Sequence, residues 1–121
     1  MMASTAFLDG VIDGETIEPG ALSEQLRITR SELAATLGFS RDAVSKRDRV
    51  TSVSVQARLR EMSEIINRVL PWAGSVLGAY AWYRSQPLPS FGDMTAEDLV
   101  RAGRANDVRF YLSRIAVGGY A

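Results

Sequence analysis

The chain of 121 residues contains no cysteine and no histidine. The first absence excludes disulfides, thiolate chemistry and the usual structural zinc sites; the second removes the commonest general base and the commonest metal ligand. Catalysis would have to rest on carboxylates, tyrosine, serine or Lys46. The most conspicuous carboxylates, Glu97 and Asp98, are neighbours at a helix start. They do not face each other as a catalytic pair would, and the helix dipole accounts for them better. The expectation is a protein that is no enzyme and holds no cofactor or metal.

Long apolar runs are lacking too. Pro71, Gly74 and Gly78 interrupt the most apolar segment, which also carries Arg68, and the N-terminus lacks a basic leader and a long apolar stretch. This reads as a soluble, cytoplasmic chain without a membrane partner. Its length suits one compact domain, or two small helical subdomains sharing a core.

The formal net charge of zero hides an uneven distribution. Residues 1–18 hold four acids and no base, residues 19–60 hold eight bases against four acids, and residues 61–121 hold six of each. Only the middle third has the positive balance that attracts phosphate.

Gly10, Gly14, Pro19 and Gly20 among acidic residues, with no sustained periodicity, make residues 1–20 a flexible or loosely docked lead-in without a site. From Ala21 the pattern is helical. Leu22 and Leu26, then Leu33 and Leu37, lie at helical spacing on either side of Thr29. Thr29 and Glu32 have the form of a capping box. Gly38 ends that helix, and Ser40 caps a third running from Arg41 to about Arg47. Val55, Leu59, Met62, Ile66 and Val69 form one apolar stripe on a long helix that Pro71 should end. The stripe is either internal core or, like the segment Trp72 to Tyr83, a dimer surface. Trp72 to Tyr83 reads as one helix, followed by a turn at Pro87 and Pro89. Thr95 opens a short helix that Gly103 ends, and the last helix buries Val108, Leu112 and Ile115 before Gly118 and Gly119. No segment alternates convincingly as a strand. The fold class expected is all-α: a helix-turn-helix over residues 21–60 and a helical domain over residues 61–121.

Ala34 and Gly38, four apart, suit a helix-turn-helix in which a small residue sits at the helix crossing and glycine makes the turn. Leu33, Leu37, Phe39 and Val44 supply the apolar wedge, which directs Ser40, Arg41, Asp42, Ser45 and Lys46 outward. These positions resemble the recognition face of Xre-type repressors. Arg41 and Lys46 are then the candidates for base edges or phosphates, and Arg27, Arg30, Arg47 and Arg49 for the backbone, with Ser40 and Ser45 on the same face. Arg47 departs from the motif, which has an apolar or tryptophan residue there. A helical hairpin with this spacing is also common in all-α proteins that bind no DNA.

Two further stretches, Pro87–Gly103 (PLPSFGDMTAEDLVRAG) and Arg114–Ala121 (RIAVGGYA), resemble the toxin-binding domain of Xre/MbcA/ParS-type antitoxins. The resemblance extends from about residue 20 to the C-terminus. It implies the antitoxin of a type II toxin–antitoxin system, which binds a RES-type NAD-degrading toxin by covering its active site and autoregulates its operon by DNA binding. The partners implied are a RES-domain toxin, operator DNA and a second copy of the chain. The C-terminal end would lie at the toxin's NAD cleft: Gly118 and Gly119 would let the backbone enter, Tyr120 would stack, and the Ala121 carboxylate would meet cations, with Arg114 close by. Arg101, Arg104, Arg109 and Arg114 are further interface candidates or solvated helix faces. The same residues also suit a free-standing helix-turn-helix regulator with a C-terminal dimerisation domain, or an interaction module that has lost DNA binding.

Overall fold

Helix α1 (Ala6–Val11) opens the described part of the chain, which in this computed structural model covers residues 6–118, with side chains through Ile115. Phe7 and Val11 of α1 are buried, and strands β1 (Ile12–Asp13) and β2 (Thr16–Ile17) follow as an antiparallel hairpin with Ile12 opposite Ile17. This corrects the expectation of a loosely docked lead-in without strands. Within twelve residues the segment changes from helical to extended spacing, so no single period survives even though Phe7, Val11 and Ile17 all reach the core. Its backbone is held from outside: the Gln56 side chain accepts from the Ile17 N–H at 2.7 Å and donates to the Ile17 carbonyl at 3.0 Å.

Helix α2 (Pro19–Leu26) starts with Pro19 in its first turn, where the missing N–H costs nothing, and ends at Arg27 with φ 57°. Helix α3 (Arg30–Leu37) has the full Thr29/Glu32 capping box and stops at Gly38, whose φ of 81° lies in the left-handed region. The third expected helix is divided. Helix α4 (Arg41–Ser45) ends where Lys46 is extended, and α5 (Arg47–Val50) starts anew. Beyond Ala43 and Val44 nothing in 41–50 is fully buried, so no apolar side chain anchors a continuous helix through Arg47.

Helix α6 (Val53–Ala73) is the longest element, capped by Ser52. Val55, Leu59, Met62, Ile66 and Val69 are all buried, so the stripe is internal core and is not available as a dimer surface. Pro71 does not end this helix. It sits in the last turn, where it forfeits one backbone hydrogen bond, and the helix stops at Gly74 with φ 84°. Ser75 then caps α7 (Val76–Ser85) by accepting from the Gly78 N–H at 2.9 Å. The helix expected from Trp72 to Tyr83 is therefore two, and Trp72 belongs to α6.

After Gln86 the chain extends, and Leu88 pairs with Met94 across a 3₁₀ turn at Pro89–Phe91. Helix α8 (Ala96–Arg101) has a capping box of Thr95 and Asp98, and α9 (Ala105–Gly118) closes the fold. One apolar cluster runs from Phe7 to Leu112, with Trp82 and Phe91 packed against it. The fold is mostly helical, and among the described residues no helix is long and apolar enough to cross a membrane.

Candidate functional site

The surface around α4 and α5 carries the densest unpaired positive charge among the described residues. Ser40, the N-cap of α4, makes no capping bond with its side chain and faces solvent, as do Arg41, Ser45, Lys46, Arg47 and Arg49. Arg41 and Ser45 lie four apart on α4 and share its outer face. Lys46 occupies the extended residue between the helices, and Arg47 and Arg49 project from α5. Among the described residues, ion pairs fall on Arg58, Arg84, Arg104 and Arg109 instead, all later in the chain. The four cations Arg41, Lys46, Arg47 and Arg49 are thus free to meet phosphate, with Asp42 and Asp48 as local counter-charges.

What holds this surface in place was only partly legible. Leu33, Ala34, Leu37 and Val44 are buried and Phe39 is half-buried. The turn has a further support from α6. Arg58 donates to the Leu37 carbonyl at 2.8 Å, and its guanidinium lies 5.2 Å from the centre of the Phe39 ring. Arg30, expected to contact phosphate, donates instead to the carbonyl of Val44 in α4 at 3.3 Å.

A second polar cluster lies inside the protein and escaped sequence reading. Glu97 is buried, accepts from the Thr36 hydroxyl of α3 and pairs with Arg84 of α7 at 3.3 Å. It therefore joins three helices from both halves of the chain. Its carboxylate raises the Arg84 pKa above the ordinary arginine value, by charge attraction first. Burial raises the Tyr80 hydroxyl, and burial with the neighbouring Glu97 charge raises Tyr83 further. Among the described residues the Tyr83 hydroxyl has no hydrogen-bond partner. The one hint in the sequence was position: Glu97 lies between Ala96 and the apolar pair Leu99 and Val100, all of which are buried.

At the C-terminal end, Arg109 grips Glu64 at 2.7 Å and Arg68 donates to Ser113 at 3.2 Å, which binds α9 alongside α6. A hydrogen bond to Glu64 is the main reason the Arg109 pKa is raised. Arg104 pairs with Asp107 at 2.8 Å, so Arg104 and Arg109 serve internal contacts. Arg101 lies against Gly38, and its carbonyl accepts from Arg58. Arg114 is exposed, with its guanidinium 5.8 Å from the centre of the exposed Phe110 ring. Gly118 is the last residue of α9, and Gly119, Tyr120 and Ala121 lie outside the described residues. Trp72, Leu77 and Phe110 are the large apolar side chains most exposed in this half.

Among the described residues no group of three or more acidic side chains is placed to hold a metal ion. Comparison of the chain with protein-family models, with curated proteins and with solved structures finds no match.

Proposed function

We propose that this chain is an antitoxin of a type II toxin–antitoxin system that also binds DNA. Its C-terminal half would bind a RES-type, NAD-degrading toxin and cover the active site, with Gly118 to Ala121 entering the cleft and Arg114 contacting the toxin. Helices α3 to α5 would hold the operator of its own operon and so autoregulate it. The observation that carries the DNA half is the cluster Arg41, Lys46, Arg47 and Arg49: four exposed cations without ion pairs among the described residues, set just after a glycine turn between two helices. The toxin half rests on the likeness of Pro87–Gly103 and Arg114–Ala121 to that antitoxin domain.

The test is to purify the tagged protein from its native host, identify its companion by mass spectrometry, and assay that companion for NAD consumption. A stoichiometric partner that consumes NAD once freed, and that a chain lacking Gly118 to Ala121 no longer restrains, supports the proposal. A truncated chain that inhibits equally well removes the tail from the mechanism. A second reading, a free-standing regulator that only dimerises through its C-terminal half, is favoured by the exposure of Trp72, Leu77 and Phe110. It requires specific DNA binding and no enzyme partner.

A further inference from the structure

We infer that Arg30 is a positioning residue for the DNA-binding surface, and that it sets α4 on α2 and α3 without touching phosphate itself. The inference rests on the proposed DNA binding by α3 to α5. Arg30 is the first residue of α3, and its side chain crosses to the far end of α4, where Nη1 donates to the Val44 carbonyl at 3.3 Å. The last carbonyls of a helix have no partner within it, and a cation there also meets the negative end of the helix dipole. Helix α4 has five residues, too few to be stable by its own hydrogen bonds, so an outside donor at its C-terminal end weighs heavily.

On its other side the exposed Arg30 side chain passes close to Gly20. A Cβ added to Gly20 of α2 would stand 2.5 Å from Arg30 Nη2 and 3.3 Å from its Cζ. Glycine at position 20 therefore leaves the space in which the guanidinium lies while it bonds to Val44. Arg30 thus bonds the start of α3 to the end of α4 and packs beside the start of α2. The next residues after Val44 are Ser45, Lys46 and Arg47, all on the candidate DNA surface. An error in the position of Val44 is passed directly to them.

Gly20→Ala separates this role from a phosphate contact, because it keeps the Arg30 charge and displaces the side chain. Alanine is also the better residue within a helix, so α2 is not weakened. Two quantities are read on the full-length chain carrying Arg30→Ala or Gly20→Ala. The first is amide hydrogen exchange at Ala43 and Lys46, whose N–H groups bond to the carbonyls of Ser40 and Asp42. The second is affinity for a duplex of its own promoter as a function of salt.

Arg30→Ala is expected to speed exchange at these amides about fivefold, the worth of one ordinary hydrogen bond, and Gly20→Ala to speed it in the same direction by less, because the exposed guanidinium end can shift. Both should weaken DNA binding without changing the slope of log affinity against log salt. Arg47→Ala, in contrast, should reduce that slope by about 1, as the loss of one phosphate contact does. Arg30→Ala with unchanged exchange and a slope reduced by about 1 would make Arg30 a phosphate ligand and overturn the inference. If the wild-type chain binds no duplex even at low salt, the proposed DNA binding fails. The exchange measurement then decides by itself whether Arg30 braces α4, and unchanged exchange rejects it.

Discussion

The Gln56 side-chain amide holds the backbone of Ile17 at both its N–H and its carbonyl, at 2.7 and 3.0 Å, and so acts as the missing neighbour of strand β2. The same Nε2 donates to the Val50 carbonyl at 2.9 Å, which ties the end of α5 to the same point. A buried glutamine on the longest helix thus fastens both the N-terminal hairpin and the segment that follows the candidate DNA surface.

Gln56→Leu should therefore leave the Ile17 backbone groups buried without partners and cost about 2 kcal/mol. Urea unfolding measures the loss, and hydrogen exchange should rise first in residues 6–18. A variant as stable as wild type would show that the apolar contacts of Phe7, Val11 and Ile17 suffice to hold the N-terminal segment.

Glu97 gives a second stability prediction, with an internal ordering. Thr36→Val removes a donor to a buried carboxylate and should cost about 2 kcal/mol, in the range for hydrogen bonds to charged groups. Arg84 is half exposed, 52 % at the side chain, so water screens its pair with Glu97 and Arg84→Ala should cost under about 1 kcal/mol. Denaturant titration of the two variants checks the order, and the reverse order would place the weight on the ion pair.

Tyr83 predicts the alkaline limb of the stability curve. An unfolded tyrosine ionises near 10.0, while in the folded chain burial, with the Glu97 charge beside it, pushes the group well above that value. Below pH 10 both states keep the proton and the group adds no pH dependence. Above it the unfolded chain loses a proton that the native chain retains, so stability falls as pH rises. Tyr83→Phe should flatten this fall. At pH 7 it should be neutral or stabilising by up to about 1 kcal/mol, because the native hydroxyl is buried without a partner among the described residues. Urea unfolding at pH 7 and pH 10.5 provides the comparison.

Arg41→Ala combined with Lys46→Ala tests the surface itself. Both side chains are exposed and in no ion pair among the described residues, so stability should change by no more than about 0.5 kcal/mol. Affinity for the chain's own promoter, measured by gel shift at stated salt, should fall at least about tenfold. Undiminished binding would move the contact elsewhere.

Local signals were readable at some positions where a single residue decides a backbone geometry. Thr29 and Glu32 form their capping box, Gly38 takes the left-handed conformation and Thr95 starts its helix, whereas Ser40, expected to cap α4, makes no capping bond, and the caps at Ser52 and Ser75 went unread. The stripe from Val55 to Val69 was legible as apolar because one period runs through five residues. That it lies inside the molecule was not, since a stripe carries no record of what covers it. Pro71 misled for a related reason: proline forbids one hydrogen bond, and in a last turn that loss is small enough for the helix to pass.

The sequence by itself determined the capping box at Thr29 and Glu32, the Gly38 turn, the start at Thr95, the apolar faces and the basic middle third, which rest on residue type and on neighbours close along the chain. Only the tertiary structure decided that residues 6–18 join the core, that α4 stops before Lys46, and that Arg30 turns to Val44. It alone also paired Glu97 with Thr36, 61 positions away. Those outcomes depend on which distant group offers a buried polar atom its partner, and no local pattern encodes that choice.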